Sequence, residues 1–105
     1  MTTIETRRRR RARIKPAKAA AIGRRLEALV SEVKAALARH LRERRIRLHL
    51  TQGSLARRLR TSQARVSRIE AADQTVSLEL VVRALFATGA TRREITRAIE
   101  SGKKS

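Results

Sequence analysis

The chain has no cysteine, no tryptophan and no tyrosine, and its 105 residues include one phenylalanine, Phe86. Without cysteine there is no disulfide, zinc finger or thiol chemistry, and the absence fits a reducing interior. Near-absence of aromatics excludes the stacking platforms that hold single-stranded nucleic acids. It likewise excludes sheet modules that stack RNA bases on aromatic side chains. Any core is therefore made of leucine, isoleucine, valine and alanine. Acidic residues are scarce, nine against 27 basic ones, and Asp73 is the only aspartate. No carboxylate pair, nucleophile–base pair or glycine-rich phosphate loop is present, so the chain reads as no enzyme and needs no cofactor. His40 and His49 stand alone, without the neighbouring Asp or Cys of a metal site. No apolar run approaches the ~20 residues of a membrane span. The charged N-terminus lacks the apolar stretch of a secretory signal. Organelle transit peptides are also Arg-rich, but here the run leads straight into a helical segment. These absences place the expected protein in the cytoplasm.

What is present is positive charge. The formal net charge of +18 calls for a polyanionic partner. Residues 1–18 hold eight basic residues against Glu5, including RRRRRAR from Arg7 to Arg13. Like charges so dense repel one another and bury nothing, which predicts a basic disordered arm over residues 1–16. Pro16 suits the first turn of a helix. From there Ile22, Leu26, Leu29, Val30, Val33, Leu37 and Leu41 recur at spacings of three and four. One long helix is predicted from about Ala17 to about Leu48, with Gly23 as its weak point.

Four shorter helices follow. Thr51 caps one over Gln52–Leu59, with Leu55, Ala56 and Leu59 inward. After the turn Arg60-Thr61-Ser62, Ser62 or Thr61 caps a third helix that ends near Glu70 or Ala71, with Val66 and Ile69 inward. On a 100° wheel Gln63, Ala64, Ser67 and Arg68 share an exposed arc of about 140°. Ser77 caps a fourth helix through Ala87, with Gly89 as its stop. Thr91-x-x-Glu94 forms a capping box for a fifth, with Ile95, Ala98 and Ile99 inward. There is no strand signal and no internal repeat. A compact helix pair holding a polar, Arg-bearing face outward is how a helix-turn-helix reaches base edges in the major groove.

Residues 37–89 resemble the phage-repressor (Cro/CI, or XRE) helix-turn-helix family. The matching stretches are RERRIRLHLTQ (42–52), LARRL (55–59), TSQARVSRIE (61–70) and VSLELVVRALFATG (76–89). The resemblance implies a five-helix, lambda-repressor-like all-α bundle whose third helix enters the major groove. This chain would add a long N-terminal helix and the Arg-rich arm. The resemblance maps Gln52 to a phosphate contact that also braces helix 3, Gln63 and Ala64 to the first base-reading positions, and Arg68 to a later one. It implies a structural ion pair between Arg45 and Glu70. Two departures stand out. The family often has glycine where Arg60 and His49 sit, and a non-glycine residue at φ > 0 costs roughly 1 kcal/mol.

The chemistry of the side chains fits that mapping. Gln63 offers the donor–acceptor pair that suits adenine, and Arg68 the fork that suits guanine or a phosphate. Ser62, a cap, also suits a phosphate at a helix N-terminus. Arg65 and Arg58 are expected at the DNA backbone, and Ser67 lies on the exposed arc. Arg7, Arg8, Arg9, Arg10 and Arg11 are read as an arm that neutralises phosphates. Residues 17–36 form an extension expected to mediate dimerisation, residues 37–101 the DNA-binding domain, and residues 102–105 a frayed tail. The expectation is a nucleoid-associated, sequence-specific duplex-DNA-binding regulator, a homodimeric repressor on an inverted repeat. Two alternatives stay open. One is an antitoxin whose N-terminal segment binds a toxin protein. The other is an RNA-binding protein working through the arm.

Overall fold

The computed structural model describes residues 15–102. Among these residues the chain forms five helices and no strand: α1 (Pro16–Arg47), α2 (Gln52–Leu59), α3 (Gln63–Glu70), α4 (Leu78–Ala87) and α5 (Arg92–Ser101). The described part measures 59 × 30 × 26 Å. Its length comes from α1, whose 32 residues span about 48 Å at 1.5 Å per residue. The helix runs unbroken through Gly23, where a weak point was expected. Good helix formers on both sides carry it past one glycine.

The core lies between the C-terminal half of α1 and the four short helices. Leu37, Leu41, Leu55, Val66, Ile69, Val81 and Leu85 are its largest fully buried side chains. All are aliphatic, as the composition requires. Phe86, the one aromatic, is 48% exposed and contributes little.

Side-chain caps open four of the helices. Thr51, Ser62, Ser77 and Thr91 each accept a hydrogen bond from the backbone N–H three residues on, at 3.0–3.2 Å. Glu94, however, does not spend its carboxylate on a reciprocal cap: it reaches across to Arg44 Nη1 at 2.6 Å. Arg44 also donates to the carbonyl and hydroxyl of Thr88, so one guanidinium joins α1 to the end of α4 and the start of α5. Gly102, read as the start of a tail, lies against α1. A Cβ there would come within 2.6 Å of the Ala36 Cβ. Residues 103–105 lie outside the described residues.

The N-terminal half of α1 leaves the bundle. Val33 still packs on the core. Ile22, Leu26, Leu29 and Val30 are 42–57% exposed. Lys34 marks the exit: its Nζ donates to the carbonyls of Asp73 and Val76, both at 3.0 Å.

Candidate nucleic-acid interface

The candidate site is built on α2, α3 and the turn between them. α2 ends at Arg60, which takes the left-handed conformation at φ 55°. The Thr61 N–H then reaches back to the Ala56 carbonyl at 2.9 Å, closing the turn tightly enough for α3 to begin two residues later. A left-handed non-glycine residue is strained by roughly 1–2 kcal/mol. Burial of Leu55, Ala56, Val66 and Ile69 on either side of the turn holds it in place.

Behind α3 sits a polar brace. Glu70, at its last turn, accepts from Arg45 Nε at 2.5 Å and from Arg45 Nη2 at 3.1 Å. Gln52 Nε2, at the start of α2, donates to the same carboxylate at 3.2 Å. Arg45 also donates to the Leu50 carbonyl at 2.9 Å. The two charged side chains are only 13% and 4% exposed. Bidentate geometry with a third hydrogen bond from Gln52 is what offsets the desolvation of a buried pair. The brace joins the C-terminal end of α1, the first turn of α2 and the last turn of α3, so it sets how α3 is presented.

In front, α3 shows an uninterrupted polar face. Gln63, Ala64, Arg65, Ser67 and Arg68 are all exposed, while Val66 and Ile69 are fully buried on the opposite side. Ser62 caps the helix by accepting from the Arg65 N–H at 3.1 Å, which leaves its hydroxyl hydrogen to donate outward. Arg58 is exposed on α2, and Gln52 is half-buried because it serves the brace. The first turns of α2 and α3 carry no acidic residue to repel an anion, while the Ser54 and Arg65 N–H groups are taken by the Thr51 and Ser62 caps. Arg7, Arg8, Arg9, Arg10 and Arg11 lie outside the described residues.

The loop after α3 is pinned locally. The Asp73 carboxylate accepts from the Thr75 hydroxyl and from its N–H, the latter at 3.0 Å. These two bonds, hydroxyl first, hold the Asp73 carboxyl below its ordinary 3.8. Desolvation opposes them more weakly, and the charges of Arg68 and Lys34 add smaller pulls in the lowering direction.

A family model described as a helix-turn-helix domain matches residues 36–98, more than half of the chain. The chain belongs to the helix-turn-helix domain family. Comparison with curated proteins and with solved structures gives no match. A helix-turn-helix domain is a DNA-binding module, and its matched span takes in α2, the Arg60 turn and α3. The match also covers the start of α5, beyond the stretch whose residues carried the resemblance. Among the described residues no helix is long and apolar enough to cross a membrane, and no cluster suited to a metal ion occurs.

Sequence reasoning missed one feature beside this helix-turn-helix. A cleft of about 250 Å³ lies next to α3, lined by Arg65, Ser77, Glu79, Leu80 and Arg83. Arg83 has an exposed ion pair with Glu79 at 3.0 Å, four residues back. In sequence that spacing reads as an ordinary surface pair, with nothing to say that α3 lies alongside.

Proposed function

We propose that this protein is a sequence-specific duplex-DNA-binding transcriptional regulator of the phage-repressor type. It acts as a homodimeric repressor that occupies an inverted-repeat operator. The observation that carries this reading is the two-faced α3. Its back is locked by buried Val66 and Ile69 and by the Arg45–Glu70–Gln52 brace, and its front is an open polar arc. Gln63 and Arg68 read base edges, Ala64 packs against a thymine methyl, and Ser67 completes the arc. Gln52, Ser62, Arg65 and Arg58 hold the sugar–phosphate backbone, with the arm residues Arg7 to Arg11 adding phosphate neutralisation. The second copy is recruited by the apolar stripe of α1, which is left uncovered among the described residues. That stripe also favours a second reading, an antitoxin whose α1 extension holds a small toxin protein. A co-purifying protein at fixed stoichiometry would select it.

The test starts from selection of bound sequences out of a random duplex pool. On the selected duplex, Gln63→Ala and Arg68→Ala each weaken binding by ~1–3 kcal/mol, and on random duplex by much less. Equal losses on both duplexes would show that α3 is not the reader.

A further inference from the structure

On the side of α1 that faces α5, the two helices leave an open groove beside the Arg44–Glu94 ion pair. Its larger recess, about 330 Å³, is lined by His40, Arg44, Arg47, Glu94 and Arg97 among others. A smaller one of about 110 Å³ adjoins it through His40, Ala98 and Ser101, and adds Arg39 and Glu43.

The charges in this groove do not cancel. Glu94 is already held by Arg44 at 2.6 Å. Glu43 is matched in number by Arg39. Arg47 and Arg97 have no hydrogen-bond or ion-pair partner among the described residues. His40 supplies the second, independent observation. Its Nε2 is closed off from solvent, at less than 1 Å² exposed, yet has no hydrogen-bond partner among the described residues. The nearest acidic oxygen, Glu94 Oε2, is 3.8 Å away, too far for a hydrogen bond, and is the same oxygen that Arg44 holds. Buried polar nitrogens in folded proteins are usually paired with protein, water or ligand, and this one is left over beside the recess. Two unpaired guanidinium groups lining the recess, Arg47 from α1 and Arg97 from α5, favour an anion as its occupant.

We propose that the groove between α1 and α5 binds a phosphate-type oxyanion. Arg47 and Arg97 are its charged donors, and the His40 imidazole lines the same recess. This goes beyond base reading by α3, because none of the three residues lies on α2 or α3. The guanidinium fork matches a phosphate through two parallel hydrogen bonds. The recess is at the lower end of the range of small-ligand sites, roughly 300–1,000 Å³. The phosphate arrives on a small molecule or on a duplex backbone, and the two sources are separable.

The experiment titrates inorganic phosphate into the full-length protein in phosphate-free buffer and follows the side-chain NMR signals of His40 and His49. A saturable shift at His40, with His49 unmoved, is the expected result. Arg47→Gln combined with Arg97→Gln weakens phosphate affinity at least tenfold. Arg24→Gln combined with Arg25→Gln removes the same charge from the protruding part of α1 and changes it less than twofold. Unchanged melting of both double variants shows that they fold. A linear, non-saturating shift, or equal weakening in the two double variants, would overturn the site and leave only counterions condensed on a highly charged chain. A second titration uses protein saturated with duplex. Undiminished phosphate affinity assigns the site to a free small molecule. A His40 signal already shifted by the duplex, and no longer responsive to phosphate, assigns it to the DNA backbone.

Discussion

Glu70 shows most directly how one side chain links fold to function. It is 4% exposed and ties three helices through Arg45 and Gln52. Glu70→Ala strands the Arg45 guanidinium in a largely closed site, which costs ~3–5 kcal/mol. Glu32→Ala, on the exposed side of α1, costs within about 0.5 kcal/mol. Urea unfolding of the two variants checks this; matching midpoints would mean that the pair is not buried in solution. Asp73 carries the pH dependence. Its folded carboxyl titrates below the ordinary 3.8, so its contribution to stability is present above that value and is lost as pH falls through the lowered one. Thr75→Ala removes the hydroxyl that contributes most to the shift, and moves the Asp73 midpoint up toward 3.8 in an NMR titration. A midpoint that stays put would assign the shift to the backbone N–H of residue 75 and to the charges of Arg68 and Lys34 instead. The Arg45–Glu70 pair was implied by the resemblance, and its burial required the structure. Arg44–Glu94 was not legible at all. The partners are 50 residues apart, and Glu94 fitted a capping box equally well.

Helix starts were easier to read than helix ends. Serine and threonine caps are local chemistry, and all four open the helices they were assigned to. The ends follow one repeated device. α1, α2, α3 and α4 each close with a left-handed residue: His49 (φ 57°), Arg60 (φ 55°), Ala72 (φ 53°) and Gly89 (φ 89°). In each case the next N–H reaches back five residues to a carbonyl, as in Leu50 to Arg45 and Asp73 to Arg68. Only Gly89 announces itself by residue type. His49 and Arg60 stood out only as departures from the resembling family, and Ala72 gave no signal. The long α1 was legible from its apolar spacing, but not the point where it leaves the bundle. The Leu26 and Leu29 side chains are 57% and 48% exposed, while Leu37 and Leu41, on the same stripe, are fully buried. Leu26→Ser combined with Leu29→Ser therefore leaves unfolding at low protein concentration almost unchanged and abolishes the proposed dimer in sedimentation equilibrium. A variant that still sediments as a dimer would move the interface elsewhere on the molecule.

At the scale of the whole chain, charge dominates. Of the formal +18, a large share lies in the arm, where Arg7 to Arg11 and Arg13 are offset only by Glu5. Each phosphate neutralised on duplex DNA contributes about 0.9 to the slope of log affinity against log salt. Deleting residues 1–14 keeps Lys15, whose carbonyl accepts the first hydrogen bond of α1. The truncated protein binds every duplex more weakly, with a salt slope flatter by several units and an unchanged preferred sequence. Salt titrations of selected and random duplexes measure this. An unaltered slope would remove the arm from DNA binding and favour an RNA or protein partner for it.

Composition, periodicity and capping residues determined, without any structure, an all-α chain of five helices with an aliphatic core. They also picked out the face of α3 that stays out of it. Those properties are set by neighbours three or four residues apart along one helix. Tertiary structure alone decided which of two equivalent roles Glu94 takes and where Lys34 anchors the loop after α3. It also decided that Arg83 lies beside α3, and that His40 closes a groove with Arg47 and Arg97. Each of these depends on how helices distant in sequence pack together, and long flexible arginine, lysine and glutamate side chains reach equally well to several partners until packing selects one.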